Sequence, residues 1–173
     1  MPLISPNTPE SHRAIADEAD RIHESAMWSA QGQFEQAKLW RLINLLFGVP
    51  AAALAAISGG TALAGELGAW PGILALVAAA CSAIMTTVNA SRRMTHAQTS
   101  ANAYLQLQTT ARQFLAIDVA TQSYEDARET LRNLTNTRDE LNATADPPSA
   151  LAYRRARKNI TRGGQSYDID GEH

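Results

Sequence analysis

The chain has 173 residues, with 15 Lys and Arg against 17 Asp and Glu and a formal charge of −2. That length fits one domain, and that balance gives no reason to expect nonspecific nucleic-acid binding. Its single cysteine, Cys81, excludes a disulfide framework and a cysteine-based metal site within the chain.

The charges are segregated. Between Leu42 and Ser91 the only formal charge is Glu66, and both flanks are rich in charge and amide. Residues 1–8 hold two prolines and little pattern, and they read as a disordered N-terminus. Thr8-Pro9-Glu10 reads as a helix start: a capping hydroxyl, proline at the first helical position and an acid at the positive dipole end. The helix predicted over 9–41 carries Ile15, Ala19, Ile22, Ala26, Ser29 and Gln33 at three- and four-residue spacing. Such a narrow stripe needs a partner helix. No proline separates this helix from the apolar stretch, and Gly32 is its weak point. The apolar run starts too far from Met1, and behind too polar a helix, to read as a signal peptide.

Residues 42–64 and 69–91 are each about 23 residues long, enough for roughly 35 Å of helix against a hydrocarbon core of about 30 Å. They predict a transmembrane hairpin with an extracytoplasmic turn at 65–68. The alternative is a hairpin buried in a soluble bundle. Lys38 and Arg41 precede the first span and Arg92, Arg93 and His96 follow the second. The excess of basic residues on that side predicts cytoplasmic termini in the cell (inner) membrane. Trp40 and Trp70 lie near opposite ends of the first span, where interfacial aromatic anchors belong. Pro50, inside that span, predicts a kink, either a hinge or a static bend. Ala52, Ala56, Gly60 and Ala64 recur every four residues, a spacing that lets transmembrane helices pack closely.

In the second span Ser82, Thr86, Asn89 and Arg93 are spaced four, three and four, so an unbroken helix places them on one face. Two readings stay open. The face lines water, with Arg93 at the cytoplasmic mouth, or its hydroxyls bond along their own helix and across to a neighbour. A two-helix hairpin has no lumen, so the first reading requires a homo-oligomer.

No Gly or Pro occurs between Gly72 and Pro147, so the second span is expected to continue as helix beyond the membrane. Residues 92–146 read as two amphipathic helices. Ala97, Ala101, Tyr104, Gln108, Ala111 and Leu115 stripe the first, with Leu107 and Phe114 beside them. A break falls near Asp118 to Ser123, where Ser123 can cap the next helix. Tyr124, Ala127, Leu131, Leu134, Arg138 and Leu141 stripe the second. After Pro147-Pro148, residues 147–162 read as a short basic helix with Arg154, Arg155, Arg157 and Lys158 beside Tyr153, and 163–173 as a polar tail. The basic run is a candidate contact for anionic lipid or another anion. Alternatively it is a solvated face balanced by the preceding acidic helix, which carries Glu125, Asp126, Glu129, Asp139 and Glu140.

This order of parts resembles the SLATT family of two-transmembrane bacterial effectors associated with nucleotide-second-messenger and SLOG-domain systems. The parts are a polar helix, a short-turn hairpin, a helix with Tyr104, Leu105, Leu107 and Phe114, a helix with Leu131, Leu134 and Leu141, and Pro147-Pro148 before Ala152-Tyr153 and the basic run. The likeness covers nearly the whole chain and rests on architecture, since the family has no short motif to match. It implies an oligomeric, pore-forming or membrane-depolarising effector in a conflict or antiphage defence system. It also implies a nucleotide-signalling or sensor protein encoded nearby as partner.

No enzyme is expected. His12, His23, His96 and His173 are scattered without metal-ligand spacing, and His12 and His23 read as solvated helix residues. There is no phosphate-binding glycine loop, and no cofactor is implied. The fold class expected is all-α: a two-helix membrane hairpin with a cytoplasmic helical bundle, whose partners are the bilayer and its own copies. The other functional reading is a passive membrane anchor or scaffold whose cytoplasmic helices dock a partner protein.

Overall fold

The computed structural model describes residues 3–65 and 68–164; Glu66 and Leu67 of the expected turn, and 165–173 of the expected tail, lie outside them. All regular structure among the described residues is helical: α1 (Arg13–Leu63), α2 (Trp70–Val88), α3 (Ala90–Gln113), α4 (Tyr124–Thr144) and α5 (Ala150–Thr161). The chain divides into two compact units, one built from residues up to Gln36 and from Ala97 onward, the other from Ala37–His96. Helix α1 contributes to both. It runs 51 residues without interruption at Gly32 or Pro50.

The first unit has the hydrophobic core. Ile15, Ala16, Ala19, Ile22 and Ala26 of α1 meet Leu107 and Ala111 of α3 and Ala127 and Leu134 of α4. Alanine on both α1 and α3 leaves little side chain between the backbones, and the bulk of the core comes from Ile22 and from the residues after α3. Phe114, Leu115 and Val119 are almost completely buried. They sit on a π-helical turn, Phe114–Asp118, in which the Val119 amide bonds to the Phe114 carbonyl at 2.9 Å. Val119 lies four residues after Leu115 and five after Phe114, and all three face the core.

Expectations at the N-terminus and at two histidines need correction here. The segment 1–8 is ordered from Leu3 onward. Leu3 and Ile4 pack against the core, and the Ser5 amide donates to the Leu115 carbonyl at 3.2 Å. Thr8 does not cap the helix. Its hydroxyl donates backward to the Ser5 carbonyl at 2.7 Å, and the chain enters α1 through a 3-10 turn, Glu10–His12. The second correction concerns His12 and His23, which are buried rather than solvated. His23 follows Ile22 and lies four residues after Ala19, so the core stripe carries it inside.

Ser123 caps α4 by accepting the Asp126 amide at 3.2 Å, while its hydroxyl donates to the Asp126 carboxylate at 2.7 Å. Tyr104 ties α3 to α4 through its hydroxyl, which donates to Asn142 Oδ1 at 2.8 Å. The stretch from Asp146 to Ser149 is held against α1. Gln33 Nε2 donates to the Asp146 carbonyl at 2.6 Å, and Gln36 Oε1 accepts the Ser149 amide at 2.9 Å. Between those bonds the Pro148 ring lies over Gly32, where a β-carbon would come within 3.3 Å of Pro148 Cγ. Ser149 caps α5 by accepting the Ala152 amide. The helix closes on Gly163, whose φ of +81° permits the amides of Gly163 and Gly164 to reach back to Ile160 and Asn159.

Candidate functional site

The second unit is an apolar hairpin formed by the C-terminal part of α1 and by α2. The less exposed residues of α2, Pro71, Leu74, Ala78, Cys81, Met85 and Val88, alternate three and four apart and form one seam. Ala51, Leu54, Ser58 and Thr61 supply the more protected face of α1. Ser58 is buried and its hydroxyl donates to the Pro71 carbonyl at 2.7 Å, a polar bond across an otherwise apolar contact.

The remaining surface of both helices is bare. Each carries an 18-residue apolar window of which 11% is buried. Leu63 is 91% exposed, and Leu76 and Trp70 are each 72% exposed. Helices of this length and composition can cross a bilayer.

Ala52, Ala56, Gly60 and Ala64 all lie outside the hairpin seam and are exposed. A β-carbon built at Gly48, Gly59 or Gly60 meets nothing within 4 Å. The small residues therefore make no close helix approach within one chain. Pro50 is exposed inside α1, and the helix continues past it to Leu63. Trp70 opens α2.

The four-residue polar face of the second span is not continuous. Helix α2 ends at Val88, and Asn89 takes a left-handed conformation (φ 49°, ψ 47°), the only non-glycine residue with positive φ among those described. Asparagine tolerates this region better than most residues. The expected unbroken helix through 89 is thus corrected, and the register that joined Ser82 and Thr86 to Arg93 is lost at that point. Ser82 and Thr86 remain together, exposed, with the Thr86 hydroxyl donating to the Ser82 carbonyl at 3.0 Å. Thr87 bonds likewise to Ala83 at 2.9 Å.

Arg93 has a defined post. Its guanidinium stands 5.3 Å over the Trp40 ring, and its Nε donates to the Val88 carbonyl at 3.1 Å, a group freed by the break at Asn89. This stacking joins the two ends of the hairpin that carry the basic residues. The sequence separation of 53 positions hid it; the only signal was one aromatic and one arginine flanking the two apolar runs.

In the first unit, α5 turns Ala152 and Ala156 inward and leaves Arg154, Arg155, Arg157 and Lys158 exposed. Elsewhere in that unit, three buried polar atoms find no hydrogen-bond partner among the described residues: Nε2 of His12, Nε2 of His23 and Oε1 of Gln108. Burial pushes the His23 pKa below the usual histidine value; Asp20 opposes that shift, Arg112 adds to it and Glu24 opposes it. Burial raises the Tyr104 phenol in the same manner. No cluster of three or more metal-ligating side chains occurs among the described residues. No protein-family model, curated protein or solved structure matches this chain, so the resemblance to the SLATT family rests on the order of its parts.

Proposed function

We propose that the chain is an integral protein of the cell membrane, with both termini cytoplasmic, and that it works as a homo-oligomer that perturbs or permeabilises that membrane. One observation carries the reading: two long apolar helices whose windows are 11% buried. In water each exposed side chain such as Leu46, Ile57 or Leu76 would forgo on the order of 1 kcal/mol or more of burial. In hydrocarbon the same surface is at home. Assembly between copies is supported by the small-residue stripe, which has no partner helix in its own chain.

A second reading, a membrane anchor whose helical bundle docks a partner, is favoured by the bonding of the polar groups. The Thr86 and Thr87 hydroxyls donate to their own helix and Arg93 is held by Trp40 and the Val88 carbonyl, so a hairpin without a water path leaves neither hydroxyl proton unbonded.

Two measurements separate these outcomes. Alkaline carbonate leaves a spanning hairpin in the membrane fraction, and release of the chain would remove the membrane reading. Induced expression of the permeabilising protein admits a small dye and collapses the membrane potential. An extraction-resistant chain that does neither is the anchor.

A further inference from the structure

We propose that the outward face of α5 is a docking surface for anionic phospholipid headgroups, on the reading that the hairpin spans a bilayer. Helix α5 is attached to its unit by Ala152 and Ala156, both almost fully buried, and by Asn159, whose amide donates to Gln31 Oε1 at 3.4 Å. That attachment turns Leu151, Arg154, Arg155, Lys158 and Arg162 onto one exposed stripe, with Tyr153 and Arg157 flanking it.

The charges on this stripe are not neutralised by the acidic helix. Among the described residues none of Arg155, Arg157, Lys158 and Arg162 makes an ion pair. The Arg154 Nε reaches only the Ala150 carbonyl of its own helix. On α4, Asp126 is taken by Ser123 and Asp139 by Arg138 at 3.0 Å. The surface also carries apolar groups: Leu151 is 43% exposed and Tyr153 54%. A short helix face that mixes cations with a leucine and a tyrosine suits an interface of headgroups over hydrocarbon better than plain solvent.

The chemistry of the face fits that partner: exposed cations complement anionic headgroups, and Leu151 and Tyr153 suit the apolar layer beneath them. Nucleic acid is the weaker partner, because the chain as a whole carries −2.

The test uses the full chain with Cys81→Ala and Thr161→Cys, labelled at position 161 with an environment-sensitive dye. It is placed in nanodiscs of phosphatidylcholine, with or without phosphatidylglycerol. The expected result is a blue shift and protection from an aqueous quencher in the anionic discs alone, reversed by high salt. Each Arg→Gln or Lys→Gln change at positions 154, 155, 157 and 158 weakens the docked state about fivefold, and the four together abolish it. Those side chains are exposed, so unchanged helicity checks the fold. Equal signals in the two discs overturn the proposal while leaving the hairpin intact. Protection produced in phosphatidylcholine discs by inorganic phosphate or a short oligonucleotide also overturns it, in favour of a soluble anion. If the chain enters neither disc, the membrane-spanning reading fails separately. Flotation with phosphatidylglycerol vesicles, lost in the fourfold variant, then still supports α5 docking, and no flotation overturns that too.

Discussion

Gly32 offers the sharpest test of how α5 is held. It lies buried in the interior of α1, where glycine costs about 1 kcal/mol relative to alanine. Its absent side chain makes room for Pro148, with 3.3 Å from a built β-carbon to Pro148 Cγ and 3.7 Å to Cβ. Gly32→Ala sets the propensity gain against a contact a few tenths of an ångström too close, which the proline ring can yield. The net change is expected within about 1 kcal/mol of zero. Gly32→Leu has no such escape. Pro148 is pinned on both sides by the Gln33–Asp146 and Gln36–Ser149 bonds, and three more carbons must displace it. Overpacking of about 1–3 kcal/mol and two lost bonds of about 1 kcal/mol each, less the propensity gain, leave a cost of about 2–4 kcal/mol. Amide exchange of α5, followed in detergent, should then speed up by roughly 30- to 1,000-fold, while α3 exchanges as before. Unchanged protection of α5 in Gly32→Leu would refute the seating of Pro148 on α1.

Three further outcomes follow from the same structure. His23 titrates below the usual histidine pKa because burial disfavours its charged form, with Asp20 and Glu24 pulling the other way and Arg112 assisting. Its contribution to stability is therefore full above about pH 6.5 and is lost as pH falls toward the depressed folded value. His23→Leu should flatten the denaturation midpoint across that range, and an identical acid slope in both proteins would rule out His23 as its source. At Asn89, Asn89→Ala places a less tolerant residue in the left-handed conformation and should lower the midpoint by the equivalent of about 1 kcal/mol, whereas Asn89→Gly should not. Equal responses would mean that this conformation is not adopted in solution. Ala56→Leu with Gly60→Leu alters two exposed positions, and a β-carbon at Gly60 meets nothing within 4 Å, so the monomer should fold normally while crosslinked oligomers diminish. Unaltered crosslinking would show that the stripe contacts nothing.

The helices themselves were legible because their cause is local. The stripe Ala97, Ala101, Tyr104, Gln108, Ala111 and Leu115 is buried at every position, since helical periodicity alone decides which face meets the core. Ile15, Ala19, Ile22 and Ala26 behave alike. What escaped was either too short for a period or set by distant residues. Leu3 and Ile4 are two residues with no repeat to read. His12 and His23 carry titratable rings, which composition assigns to solvent, although their positions on the stripe place them inside. The seats of Gln33 and Gln36 depend on residues 113 positions away. At Asn89 a four-three-four spacing marks one face only where the helix is continuous, and α2 ends at Val88. An asparagine at the end of an apolar run is a known stop signal, and here it outweighed the absence of Gly and Pro.

That break bears directly on what the hairpin can do. The α2 seam residues Pro71, Leu74, Ala78, Cys81, Met85 and Val88 are committed to α1, so any water path must form between copies, along faces the seam leaves outward. Ser82 and Thr86 lie on such a face. Their own-helix bonding does not decide whether that face is wet, because a hydroxyl that donates to a carbonyl keeps its lone pairs for water. Arg93 is more informative. On an unbroken helix it would continue the polar face, but the turn at Asn89 directs it to Trp40 and to the Val88 carbonyl. A cation held over an aromatic ring at the end of the apolar run supports the reading of Arg93 as an anchor of the hairpin base. On the proposed pore reading, Ser82, Thr86 and the exposed Asn89 are the groups left to line a path between copies. Trp40→Ala discriminates: if Arg93 anchors, the hairpin base loosens and stability falls with no gain in conductance, whereas a gating arginine released from its ring would alter ion flux first.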